Sequence, residues 1–234
     1  MPPPPSDYAR VRFVDSFDAL LSTPFQSGVN ALCWRRTLCG NFAEIAALLP
    51  PGEGVVPLDA GLLRSLPGSP EAMTGVEALL ADFERLRAAG LSPSLDAIHA
   101  YPRDSEPQPI PTDVYSFHAD SAPFEADTFL CSYTDPSTEA LRNEDALRRI
   151  DLPETRDQLL AQFGGEDDAA FSEFLQENCF DLHYAPRPGS RPFSFGLGNL
   201  WRIATDYPGS PVPPCIHRAP FQAPGSPPRL LLIS

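Results

Sequence analysis

Apolar and polar positions alternate along this chain with two different periods. In "SPEAMTGVEALLADFERLRAAG", Val76, Leu79, Leu80, Phe83 and Leu86 recur at helical spacing and the run stops at Gly90, which predicts an amphipathic helix. "NFAEIAALL" predicts a second one, with Asn41 as N-cap and Glu44 in the capping-box position. Short runs rich in β-formers lie around them at "NALCWRR", "GVVPLD" and "LDAIHAYP". From about Asp113 the period shortens to two. "VYSFHADS" and "ADTFLCSYT" predict neighbouring strands, and "FDLHYAPR", "RPFSFGLGNLWRIAT", "PPCIHRAP" and "RLLLIS" continue the pattern after a break. The break, about residues 135–180, reads as short helices and turns with a strongly acidic composition. It is too long for a plain connection and predicts a mobile insertion over a pocket mouth.

Many short strands separated by Pro/Gly turns argue for a barrel or jelly roll. The expected class is therefore mainly β: a double-stranded β-helix (jelly roll, cupin-like) with supporting N-terminal helices and a partly helical insertion. The expected organisation is a single domain over 1–234, with 1–95 as support and 96–234 as the β core.

The strand period gives the first chemical lead. Side chains two apart on a strand share a face, so His118 and Asp120 in "SFHADS" point the same way. His217, in the strand-like "PPCIHRAP", is a third ligand. Two imidazoles and one carboxylate form a facial triad that leaves the other positions of an iron(II) open. Arg229 opens the last apolar run. A hairpin between the two segments sets it beside the metal strand, while Arg218, adjacent to His217, faces away. Cys215 shares the face of His217 as a reduced core thiol. His99 and His183 read as structural, because "DLHYAPR" has no acidic partner two residues on.

Composition narrows the field. The formal net charge is −14, all 17 basic residues are Arg, and there is no Lys. Schiff-base and P-loop lysine chemistry is thereby excluded, and a side-chain cation for an anionic ligand must be Arg or charged His. The acidic balance, with basic residues in pairs at most, argues against nucleic acid and anionic membrane surfaces as partners. The acidic composition of residues 135–180 hints instead at a cationic or neutral small molecule or an Arg/Lys-rich protein segment as substrate. The 29 prolines predict long irregular connections. Five cysteines without a CxxC pair fit reduced thiols, and no apolar stretch approaches the ~18–20 residues of a membrane span, so a cytoplasmic protein is expected. No third glycine completes "GLG", and no G-x-S-x-G occurs, which disfavours dehydrogenase and serine-hydrolase readings.

The ordered set His118-x-Asp120, His217 and Arg229 on a closing strand resembles the iron(II)/2-oxoglutarate-dependent dioxygenases of the jelly-roll fold, over roughly residues 96–234. The resemblance implies an oxygenase that hydroxylates a small molecule or peptide, with Fe(II) as metal and 2-oxoglutarate as cosubstrate. It implies that Arg229 holds the distal carboxylate of 2-oxoglutarate and that Tyr133, on the strand after the metal strand, assists. Asp120 in the carboxylate position implies hydroxylation over halogenation. One departure stands out: many members carry Ser two residues after the Arg, and this chain has Leu231. Two other readings fit the same residues. One is a cupin-like metal oxygenase not using 2-oxoglutarate, in which Arg229 binds the substrate's own carboxylate. The other is a non-catalytic β-barrel binding protein.

Overall fold

The computed structural model describes residues 1–104, 107–223 and 225–234. The N-terminal part runs β1 (Val11–Val14), α1 (Phe17–Ser22), β2 (Ala31–Trp34), α2 (Phe42–Leu48), β3 (Val55–Pro57), α3 (Ala60–Ser65), α4 (Pro70–Ala88) and β4 (Ser94–Ile98). Each of the four helices starts at a side-chain cap: Ser16, Asn41, Asp59 and Ser69 accept from a backbone N–H three residues on. Glu44 departs from the expected capping box. Its carboxylate accepts from the backbone N–H and hydroxyl of Ser69, both at 2.7 Å, so it ties the start of α4 to α2.

The remaining strands are β5 (Phe117–His118), β6 (Asp127–Ser132), β7 (Glu139–Leu141), β8 (Ala146–Arg148), β9 (His183–Pro186), β10 (Phe193–Ser194), β11 (Leu200–Ala204), β12 (Ile216–Arg218) and β13 (Arg229–Ile233). Between β8 and β9 come a 3₁₀ turn at Arg149–Asp151 and the helices α5 (Pro153–Phe163) and α6 (Ala169–Glu177). The strands form two curled sheets. One has seven strands in the order β1-β2-β11-β6-β13-β4-β3, the other six in the order β10-β7-β12-β5-β9-β8. All pairings are antiparallel except β1 with β2. The fold is mixed α/β, with 29% of residues in helix and 23% in strand, so the strands do not dominate as expected. Most of the helix lies in α4 and in the insertion helices α5 and α6.

Alternation along β13 sorts the interior into two compartments. Leu230 and Leu232 join the core beneath α1–α4, where Leu20, Ile45, Leu63, Val76, Leu79 and Leu86 are fully buried. Truncating such a side chain to Ala costs roughly 2–5 kcal/mol. Arg229, Leu231 and Ile233 face the other way, into a cavity between the sheets. Beside that cavity, Ala31, Cys33, Leu130, Trp201 and Ile203 of the large sheet meet Ala140, Phe193 and Cys215 in a second core.

The insertion begins later than expected. Residues Glu139–Leu141 belong to β7, paired with both β10 and β12. The Glu/Ala/Leu composition there is helix-forming, and sheet register overrides it. The chain then leaves the sheet, builds a small core from Ile110, Ile150, Leu159, Phe171, Leu175 and Phe180, and returns as β9. Because β9 pairs with β5, the insertion is fastened to the strand of His118 rather than to the far side of the molecule. Among the described residues, no helix is long and apolar enough to cross a membrane.

Candidate metal centre

Register brings the expected ligands together. His217 on β12 lies directly opposite His118 on β5, and antiparallel partners present their side chains on one face. Asp120 follows just past the end of β5, where its carbonyl accepts from the backbone N–H of Asp206 at 2.7 Å, anchoring the main chain. One ligand atom from each of His118, Asp120 and His217 lies within 4.8 Å of the others. His118 Nε2 is 3.8 Å from Asp120 Oδ1, and His217 Nε2 is 3.7 Å from Asp120 Oδ2.

The surrounding groups orient these atoms. His118 Nδ1 contacts the Ser116 carbonyl at 2.8 Å, and His217 Nδ1 contacts the Cys215 carbonyl at 3.4 Å. A carbonyl partner requires Nδ1 to carry the proton, which leaves each Nε2 lone pair directed at the common point. The Thr128 hydroxyl donates to Asp120 Oδ2 at 2.6 Å. Burial, helped by the neighbouring His217, pulls the His118 pKa down to about 4. Burial works to raise that of Asp120, but His217, the Thr128 hydroxyl and His118 outweigh it and hold the carboxyl below its usual range. At neutral pH His118 is therefore neutral and Asp120 ionised, the states that bind a divalent metal. Two imidazoles and a carboxylate in this arrangement could hold a divalent metal ion.

A cavity of about 150 Å³ adjoins the three ligands and holds Arg229 at its other end, with Tyr101, Leu130, Thr138 and Leu231 in its wall. Arg229 is 1% exposed. Its Nε donates to the Pro136 carbonyl at 2.7 Å, and Nη2 reaches the hydroxyls of Ser132 at 3.4 Å and Thr138 at 3.3 Å. Nη1 is buried and makes no hydrogen bond of ordinary geometry. Burial pulls the guanidinium pKa down, opposed by the nearby Tyr101 phenol. Among the described residues no carboxylate pairs with Arg229, so a fully buried cation stands in a cavity without a counterion.

Tyr133 is not part of this cavity, and the expectation that it assists there is corrected. On β6 the odd positions Phe129 and Cys131 face the helices, and Tyr133 keeps that parity just past the strand end. Its hydroxyl donates to Asp82 Oδ2 of α4 at 2.8 Å. Tyr101, which sequence reasoning missed, is the tyrosine that lines the cavity with Arg229. Arg218 faces outward as expected, paired with Glu139 at 2.6 Å and stacked over Phe117. Cys215 lies in the core beside His217, and burial raises its thiol pKa. His99 lies at the end of β4, away from the cluster. His183 is directly opposite His118 on β9, 5.8 Å away between ring centroids.

Comparison of the chain with protein-family models, with curated proteins and with solved structures finds no match.

Proposed function

We propose that the protein is an iron(II)- and 2-oxoglutarate-dependent oxygenase that hydroxylates an organic substrate. The observation that carries this reading is the buried, counterion-free Arg229 in the same cavity as the His118, Asp120 and His217 ligand set. A desolvated guanidinium is costly unless an anion completes it, and its planar fork suits a carboxylate. A dicarboxylate with one end at Arg229 and the other at the metal satisfies both ends of the cavity.

We also read the β core as a jelly roll. The support lies in strand order: β4, β5, β6 and β7 alternate between the two sheets, β10 returns beside β7, and β11, β12 and β13 alternate again. The two inner sets, β11-β6-β13-β4 and β10-β7-β12-β5, are antiparallel throughout.

Iron(II) and 2-oxoglutarate, when bound, would supply oxygen activation, with 2-oxoglutarate losing CO₂ to become succinate and the two atoms of O₂ going one to succinate and one to the substrate. The chain's own part is positioning. His118, Asp120 and His217 would hold the metal. Ser116, Cys215 and Thr128 fix ligand orientation. Arg229 and Tyr101 neutralise and orient the distal carboxylate, while Leu130 and Leu231 keep the cavity dry.

Anaerobic titration with iron(II), with and without 2-oxoglutarate, tests this. A visible charge-transfer band that needs both, lost in His118→Ala, is the expected result. Iron binding indifferent to 2-oxoglutarate points to the metal oxygenase in which Arg229 takes the substrate's carboxylate, and no metal binding removes the oxygenase reading.

A further inference from the structure

The metal-bearing face of the small sheet continues past the ligands. His217, His118 and His183 are consecutive cross-strand partners on β12, β5 and β9, so their side chains share one face. On the next pairing Tyr184 of β9 stands opposite Arg148 of β8. Arg149 opens the 3₁₀ turn directly after β8, and that turn packs against β9 at the end of the His217, His118, His183 row.

Both added residues leave polar atoms unanswered. His183 is 4% exposed, and its Nδ1 has no hydrogen-bond partner; Arg149 buries its Nε without one. Burial first, then the Arg149 charge, pulls the His183 pKa down, so the two side chains sense each other. The nearby carboxylates are otherwise engaged. Asp113 is 3.4 Å from Arg103, and Asp104 accepts from the backbone N–H and hydroxyl of Thr112. Three arginines bury a nitrogen with no partner: Arg142, Arg149 and Arg229. Arg142 has Asp7 at 3.7 Å. Among the described residues no carboxylate pairs with Arg149 or Arg229, and Arg229 is already accounted for by the proposed cosubstrate.

We propose that Arg149 and His183 form a second oxyanion site, which holds the carboxylate or phosphate of the molecule oxidised at the metal centre. The primary substrate is then an anion, the reverse of what the acidic surface of the insertion suggests. The site's place in the row sets the anchored group on the side of His118 away from His217, leaving a reacting carbon a few bonds from the anchor to reach the metal. This inference rests on the proposed oxygenase function for its meaning, but its anion site is testable without iron or 2-oxoglutarate.

The test uses metal-free Arg229→Leu protein, in which the deeper anion site is removed. It is titrated separately with inorganic phosphate and with acetate, following the His183 imidazole resonances by NMR and the midpoint of thermal unfolding. Saturable binding of at least one anion is expected, weakened about tenfold or more by adding Arg149→Gln. Phosphate alone or acetate alone identifies which oxyanion the site takes. If Arg149→Gln does not fold, His183→Gln carries the test through the unfolding midpoint. Absence of saturation by either anion up to about 100 mM, or equal affinity with and without Arg149, overturns the proposal. A missing charge-transfer band in the iron titration is a separate result: it removes the oxygenase reading and leaves these anion measurements standing.

Discussion

Arg36, whose side chain keeps about a tenth of its surface exposed, and the fully buried Arg229 approach neighbouring residues of β6 from opposite faces. Arg36 contacts Cys131 on the helix side, and Arg229 contacts Ser132 on the cavity side. Arg36 is closed. Its two Nη groups donate to the two carboxylate oxygens of Asp82, its Nε donates to the Gly198 carbonyl at 2.7 Å, and Arg85 and Tyr133 complete Asp82. Arg229 is open: its Nε likewise donates to a carbonyl, that of Pro136 at 2.7 Å, but its Nη groups have only hydroxyls at long range or no partner, and no acid. Burial strips solvation from both charges. A group whose cost is offset within the chain holds the fold together; one whose cost is not offset marks the place where something else must bind.

The contrast is broken most severely at Arg36. Arg36→Leu strands Asp82 in the helix layer, with only Arg85 and Tyr133 left to answer it. We expect a loss of roughly 3–5 kcal/mol, read as an early urea midpoint. Arg229→Leu should do the opposite to the fold: the ligand-free protein unfolds at the same urea concentration or later, since an unpaired buried charge has been removed. What it loses is 2-oxoglutarate, by on the order of a thousandfold in calorimetric affinity, with iron binding retained. Equal 2-oxoglutarate affinity in Arg229→Ala and parent would end the cosubstrate assignment.

A pH series sharpens the comparison at the histidine row. His118 and His183 both have folded-state pKa values lowered from 6.5 to about 4. The unfolded chain therefore binds protons more readily than the folded one in this window. Their contribution is intact above pH ~6.5 and is lost as pH falls toward ~4, by on the order of 2–3 kcal/mol for each fully shifted group. His183→Gln should flatten the stability-versus-pH curve between those limits, measured by urea unfolding of metal-free protein. The smallest effect belongs to Tyr133→Phe. Removing its hydrogen bond to Asp82 should cost about 1.5–3 kcal/mol of stability and leave 2-oxoglutarate affinity unchanged. A drop in affinity would return Tyr133 to the cavity.

The triad was legible because its geometry is local and periodic. His118 and Asp120 share a face by spacing alone, and His217 needed only the assumption that its segment pairs nearby. Tyr133 went wrong because strand parity is relative. Alternation shows that Thr128, Leu130 and Ser132 share one face of β6, and nothing in the period says which face meets the cavity. A clue was present: hydroxyls at Thr128 and Ser132 against Phe129 and Cys131 mark the more polar face as the ligand side. Tyr101 and Arg149 were invisible for a different reason. The first lies in an irregular segment after β4, and the second depends on β9 returning to pair with β5, a non-local contact no window of sequence contains. The short helices α1 and α3 were missed because six residues hold fewer than two turns of periodicity.

The β9–β5 pairing has a consequence for anyone trimming this molecule. β5 is two residues long and is held on one side by β12 and on the other by β9, the strand on which the insertion returns to the sheet. Excising the insertion together with its return strand β9, as though the whole were a detachable cover, would strip that second neighbour and leave the His118 strand as a raw sheet edge. Unpaired backbone N–H and C=O groups on such an edge recruit another chain. The shortened protein would be prone to edge-to-edge association at the metal-bearing strand itself, and a loss of iron in it would report the missing border strand rather than a missing lid.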